Sequence, residues 1–334
     1  MAGRLFSRAA WQEGWAASEG PRSAGSALLL VLKGAAMGCA DIVPGVSGGT
    51  IAFITNIYEQ LIRALRSFDA AFARKLARLD LPGALGASHL RFLVPLGVGV
   101  LSAILLMSRV VHHLLAEHPV AVWSFFFGLI AASILVVGRR VSQVTPGCVA
   151  AGLAGAAGAY LLVGLIPVST PETWWFIMLC GALAICAMIL PGISGAFILL
   201  LLGKYAFITG TLKNPFLPES MIVIVLFGAG CVVGLLSFAR LLDHLLTRWR
   251  DVTMSVLTGF MAGALRKVWP FKEVLEPRGV AGKGVAVDAA NVLPEALSPE
   301  VVQALGLMLL GLVLVLALDR VSGARGQGGK ESRG

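Results

Sequence analysis

The chain has 334 residues, 57% of them hydrophobic and 13% charged, with a mean hydropathy of +0.85 and a formal net charge of +9. Soluble domains run to roughly 45–50% apolar and about 25% charged residues, so this composition excludes an ordinary soluble enzyme and fits a protein that crosses a membrane several times. The basic residues lie between apolar segments, a distribution that excludes a nucleic-acid-binding surface.

Residues 1–25 have no apolar core of the signal-peptide kind and read as a cytoplasmic arm, with Trp11 and Trp15 placed to touch the interface. The apolar region 26–66 follows, interrupted by GCADIVPGVSGGTIAF (38–53). After it come apolar runs at 92–115, 119–137 and 147–167, the last a linking span. A second interrupted region, 175–208, carries AICAMILPGISGAFILL (184–200); runs at 221–246 and 252–268, a loop at 271–300, a last span at 302–319 and a tail at 320–334 complete the chain. Each interrupted region predicts a broken hairpin with halves of about 16–20 residues, either re-entrant or spanning, whose two ends lie on one side. The fold class is therefore an all-α polytopic membrane protein with about six spans and two hairpins. The basic residues of 63–91, Arg139 and Arg140, Arg248 and Arg250, and the tail then share one side, which the positive-inside rule makes cytoplasmic together with both termini. The five cysteines form no CxxC pair, so neither a zinc site nor a disulfide framework is expected.

The chain repeats itself. Shifted by 147, residues 34–62 match 181–209 at 11 of 29 positions, including Pro44/Pro191, Gly45/Gly192, Ser47/Ser194 and Gly48/Gly195. Shifted by 131, 97–131 matches 228–262, with Arg109/Arg240, His113/His244 and Gly128/Gly259 among the pairs. Repeat 1 covers 26–140 and repeat 2 covers 175–270. Three spans separate the hairpins, an odd number, so the repeats insert with opposite orientation, a secondary-transporter pattern with a site near the bilayer midplane.

Broken backbone survives in hydrocarbon only where something satisfies its N–H and C=O groups. Pro44 and Pro191 end the first half-helices, Gly45, Gly48, Gly49, Gly192 and Gly195 permit turns and close approach, and Ser47 and Ser194 cap the second halves, with Thr50 in the first turn. The freed amides suit an anion such as phosphate or carboxylate. Close packing of small residues explains one such motif equally well; two at inverted positions favour a ligand site. Asp41 and Glu59, present only in the first copy, are candidates for proton coupling or charge pairing, Asp41 with Lys33 or an arginine. Arg109 and Arg240 are candidates for binding a phosphate, or for snorkelling to an interface.

KGAAMGCADIVPGVSGGTIAFITNIYEQLI (33–62) and LPGISGAFILLLLGKY (190–205) resemble the signature of the undecaprenyl-phosphate translocase family, and the resemblance runs over about 26–320 in segment order. Asn56 stands where the family is expected to have glycine. The resemblance implies a bacterial inner-membrane carrier that returns undecaprenyl phosphate to the cytoplasmic leaflet for cell-wall synthesis, with that lipid and the surrounding membrane lipids as its partners, no nucleic acid, no cofactor and no metal; a homodimer is compatible with it. Two alternatives stand beside it: a transporter or channel for a small anion, and an integral polyprenyl-diphosphate phosphatase. The phosphatase is disfavoured because glycines, not an arginine, follow Ser47 and Ser194 and no paired-glutamate motif occurs, so no catalytic residue is expected.

Overall fold

The computed structural model describes residues 7–43, 46–165, 170–211, 214–274, 289–294 and 296–331. Apart from one small two-stranded sheet, the described elements are helical. Among the described residues, six helices are long and apolar enough to cross a membrane: α2 (Ala24–Ile42), α7 (Leu90–Glu117), α8 (Pro119–Gly138), α9 (Pro146–Val163), α13 (Pro218–Arg248) and the Pro299–Arg320 part of α15 (Pro299–Glu331). The fold class is as the sequence predicts, an all-α polytopic membrane protein. One expected span differs. The run at 252–268 forms α14 (Arg250–Ala264), only 15 residues, continued by a 3-10 turn at Leu265–Val268. Together these rise about 30 Å, because the tighter 3-10 geometry adds roughly 2 Å per residue.

The broken regions are unequal hairpins. α2 leads to the first break and α3 (Gly48–Ile54) leaves it; α10 (Trp174–Ile189) leads to the second and α11 (Gly195–Leu201) leaves it. The return helices are seven residues each, shorter than the 16–20 expected. The reason is local. Asn56 and Gly203, equivalent under the 147-residue shift, both adopt left-handed backbone, with φ 61° and 64°. Each closes its short helix with the same bond pair: Asn56 N to Phe53 O and Ile57 N to Ala52 O, Gly203 N to Leu200 O and Lys204 N to Leu199 O. Asparagine at the expected glycine position thus does the glycine's work, since Asn tolerates this region better than other side chains. Short helices follow, the amphipathic α4 (Tyr58–Arg66) and α12 (Tyr205–Thr211), and α1 (Arg8–Ala17), α5 (Ala70–Ala77) and α6 (Leu81–Ala87) complete the set.

Packing reproduces the repeat. α2 packs on α7 and α10 packs on α13, at crossings so close that a Cβ on Gly34 would strike the Leu96 carbonyl and one on Gly181 the Phe227 carbonyl, the same pair after shifts of 147 and 131. Gly99 against Val31 and Gly230 against Met178 repeat the relation. The next helices cross over: α8 packs on α15, and α14 on α9. Gly155 abuts the Val256 carbonyl and Gly311 the Phe125 carbonyl, so the linking span and the last span occupy matching places. Small residues allow this approach where no hydrophobic force separates helix from lipid.

Two ends are distinct. At one, residues of 59–69, 139–143 and 240–251 meet: Glu59 pairs with Arg250 at 3.0 Å, Arg66 with Asp243, the Arg240 guanidinium donates to Phe68 O at 3.0 Å, and Asp251 accepts from Ser142 N and Gln143 N. At the other, the 3-10 turn leads into β1 (Lys272–Val274), paired with β2 (Ala289–Asn291), and Trp269 donates its indole N–H to Val292 O. There Lys272 lies 4.7 Å over the Trp123 ring and donates to Lys267 O. Burial, then the Lys267 charge, push its ammonium down to about 8.

The left-handed turn and the buried ammonium each carry a prediction. Asn56→Val should lower stability by about 1–2 kcal/mol and Asn56→Gly should leave it equal or higher, read as apparent melting temperature in detergent, because a β-branched residue strains this backbone region. For Lys272 the unfolded side chain holds its proton to higher pH than the folded one, so a penalty present below about pH 8 is relieved as pH rises toward 10.5. Lys272→Met should therefore melt higher than wild type at pH 7, with the gap closing by pH 10; a constant gap would refute the buried charge.

Candidate functional site

The two breaks meet inside the bundle. α10 ends at Ile189 and leaves the carbonyls of its last residues without helical partners. The Ser47 hydroxyl, wholly buried, lies 2.9 Å from Leu190 O and 3.1 Å from Met188 O, toward which it donates, and it accepts from Gly49 N at 3.1 Å. A Cβ on Gly49 would come within 2.6 Å of Ile189 O, so only glycine lets the start of α3 press on that carbonyl. Across the same contact, Gly192 N donates to Thr50 Oγ1 at 3.2 Å, with Gly192 itself at φ 96°. Pro191, Gly192, Ile193 and Ser194 are all buried, and Val46 and Thr50 on the facing tip are fully so. Ser194 caps α11 by accepting from Phe197 N at 3.2 Å, while a Cβ on the next residue, Gly195, would reach within 2.6 Å of Ala184 O. Pro44 and Gly45 lie outside the described residues.

The charged candidates divide. The Asp41 carboxylate accepts from Gly48 N at 2.7 Å, and a Gly48 Cβ would stand 2.6 Å from its second oxygen, so a side chain there would push the carboxylate aside. Asp41 thus supplies, from within the chain, the anion that this amide would otherwise seek. Lys33 is on the same helix two turns earlier, with its Nζ donating to Thr55 O at 2.7 Å, beyond the C-terminus of α3. Arg140, which sequence reasoning used only for topology, donates to Phe53 O at 3.3 Å. Two cations therefore hold the carbonyl end of a helix whose amide end holds a carboxylate, the favourable order for the helix dipole. All of α3 is buried, from Gly48 to Ile54.

Glu59 is not at the tips; it belongs to the ion pair with Arg250. Arg109 and Arg240 lie exposed on α7 and α13, and among the described residues no hydrogen bond or ion pair joins either to a tip. Lys267 was missed as a site candidate. Its Nζ stands 5.0 Å over the ring of Phe197, in the first turn of α11. The available signal was a basic pair, Arg266 and Lys267, at the end of an apolar run on the less basic side, against the charge rule that orders the other loops. Lys204, also missed, is buried and donates to Thr170 O at 2.7 Å beside Glu172, while Thr170 Oγ1 donates to Leu202 O, the counterpart of Thr55 O.

Comparison with known proteins gives a consistent picture. The family model described as undecaprenyl phosphate translocase-like matches residues 37–283, which include both breaks. A polyprenyl-phosphate transporter of Vibrio cholerae is 43% identical over 296 residues, covering 86% of this chain and 95% of the relative. A polyprenyl-phosphate transporter of Staphylococcus aureus is 30% identical over 256 residues, covering 72% of this chain and 85% of the relative. No solved structure matches the chain. With a membrane-spanning helical fold, two interlocked breaks, and a family match over most of its length, the chain belongs to the undecaprenyl phosphate translocase-like family.

Proposed function

We propose that the chain carries the head group of a polyprenyl monophosphate, undecaprenyl phosphate by family, across the bacterial cytoplasmic membrane, with the loop end rich in arginine facing the cytoplasm. It is a carrier and not an enzyme. The names of the two relatives support the substrate class, and the contact between the two breaks supports the location of the site. The polyprenyl tail is at home in lipid; only the charged head needs help over about 30 Å of hydrocarbon. Repeats 26–140 and 175–270, inserted in opposite senses, give each face of the membrane one hairpin opening toward it.

In the conformation described, the tip amides are occupied by the chain itself: Gly48 by Asp41, Gly49 by the Ser47 hydroxyl and Gly192 by Thr50. This is a closed arrangement of the tips in our reading. A phosphate oxygen takes the position of the Asp41 carboxylate, and protonation of Asp41 releases Gly48 N–H to it. Asp41 thereby couples head-group entry to a proton. Ser47, Ser194, Gly49, Gly192 and Gly195 line the path, and Lys267 and Lys33 draw the phosphate from either side. Arg109 and Arg240 act at the surface, where an exposed guanidinium can meet a lipid head before it enters.

The carrying observation is the double contact of Ser47 with the end of α10. In proteoliposomes with labelled polyprenyl phosphate, Ser47→Ala with Ser194→Ala should cut head-group translocation about tenfold or more at equal protein, since each change removes a buried hydrogen bond. Flux unchanged in that pair refutes the tip site. Release of water-soluble phosphate from the labelled lipid would instead favour a phosphatase, and competition by a water-soluble anion a small-anion transporter. Asp41→Asn should flatten the pH dependence of lipid flux as well as slow it, because a carboxamide carries no charge and takes up no proton; a retained pH profile assigns the coupling to another group.

A further inference from the structure

The two copies hold the helix after the break differently. α4 and α12 are equivalent under the 147-residue shift, and each begins with a tyrosine. Tyr58 is 1% exposed and Tyr205 is 42% exposed. α4 also buries Ile62 and Ala64 completely, and it packs on α13. α12 buries Ile208 alone, and among the described residues no comparable packing joins it to α7, the helix that matches α13. Thr209, the counterpart of Ile62, is partly exposed. One element thus stands packed in the first copy and loose in the second.

Charge accounts for which copy is held. Arg66, in the last turn of α4, pairs with Asp243 of α13, whose side chain is 10% exposed; Glu59, in the first turn, pairs with Arg250 at the start of α14. A buried carboxylate is costly without its cation, so the first pair holds α4 to α13 more firmly than a surface pair would. The second copy cannot repeat either pair. Ala206 stands for Glu59, while His112 and Pro119 stand for Asp243 and Arg250.

The packed copy carries a cost that the loose one avoids. Tyr58 stacks on Phe53 with ring centroids 3.7 Å apart, and its buried hydroxyl has no hydrogen-bond partner among the described residues. A phenol shut away from water without a partner favours any arrangement that frees it. A pivot is present as well. Asn56 and Gly203, each two residues before its helix, share the left-handed backbone. Resting on the transport reading for what the motion serves, we infer that α4 is a gate at the arginine-rich end, latched shut by Arg66–Asp243 and Glu59–Arg250, and that α12 is the matching gate at the other end, standing open. In the opposite state α4 turns about Asn56, Arg66 parts from Asp243, the Tyr58 hydroxyl meets water, and α12 closes on α7. Inverted repeats exchange roles in this way when access passes from one face to the other.

The test reads both ends. Ala64→Cys and Thr209→Cys, each a small change in volume, are placed singly in the full chain in lipid nanodiscs. Maleimide labelling is followed by peptide mass spectrometry, which separates each site from the five native cysteines. With the latch intact, position 209 should label about tenfold or more faster than position 64, which reacts only when α4 opens. Arg66→Gln should then speed labelling at 64 about fivefold or more and slow it at 209 by about half or more, as one two-state equilibrium read from its two ends. The exchanged pair, Arg66→Asp with Asp243→Arg, should return both rates toward their starting values. Faster labelling at 64 with 209 unchanged shows local loosening of α4, and unchanged rates at both show a latch that holds nothing; either overturns the gate. In a second measurement, Arg66→Cys with Asp243→Cys is bridged by a reducible bifunctional thiol reagent. Bridging should cut lipid flux about tenfold or more relative to Arg66→Cys treated alike, and reduction should restore it, since a held gate traps one state. Undiminished flux with α4 bridged also overturns the gate and leaves the tip site standing. Labelling requires no transport, so absence of lipid flux in the wild-type protein overturns the carrier reading alone.

Discussion

Backbone that leaves the helix inside a membrane has to find partners within the protein, and that constraint organises this molecule. Each of the two breaks frees carbonyls at the end of one helix and amides at the start of the next. The chain satisfies them by setting the breaks against each other: the Ser47 hydroxyl reaches the last carbonyls of α10, and Thr50 takes the amide of Gly192. Glycine at 49 is a consequence, since any side chain there meets Ile189 O. Neither break is stable in isolation, so the contact couples the two halves of the chain at their least regular points.

That coupling explains how an apolar bundle can house a polar function. The N–H groups proposed to meet a phosphate are held here by Asp41, Ser47 and Thr50. A carboxylate and two hydroxyls are weaker versions of the proposed ligand, so exchange of one for the other costs less than exposing bare amides to hydrocarbon. The cations at the opposite end of α3, Lys33 and Arg140, hold the short helix by its carbonyls. Ion pairs Glu59–Arg250 and Arg66–Asp243 tie the same hairpin to α13 and α14 at the arginine-rich end. The Glu59–Arg250 pair is open to solvent on both sides and contributes about 0–1 kcal/mol, whereas Asp243 is buried, so removing Arg66 would leave its charge uncompensated.

The two copies share a frame but not a chemistry. Matching glycine crossings at Gly34 and Gly181, at Gly99 and Gly230, and at Gly155 and Gly311 keep the helix geometry common. Within that frame Asp41 faces no acidic counterpart, since Met188 occupies its place, and α3 is buried throughout while only Phe197 and Leu199 of α11 are. The first hairpin is the central one, and the second packs beside it. Cations differ as well: Lys33 caps α3 from its own hairpin, whereas the second tip receives Lys267 from a neighbouring helix.

Composition and periodicity alone settled that the chain is a helical membrane protein, because a long apolar run has few other fates. The 147-residue shift identified Ser47, Gly48, Ser194 and Gly195 as equivalent, because a special backbone path needs the same residues wherever it recurs. Asn56 was visible as a departure, and its left-handed backbone shows why it is tolerated. The tertiary structure alone decided which groups touch. Proximity between residues some 140 apart, as with Ser47 and Leu190, depends on how helices stack, and hydrophobic pattern does not encode it. The same holds for Arg109 and Arg240, which match in sequence yet face outward, and for Lys267, whose role comes from a neighbour's ring and not from any spacing in its own segment.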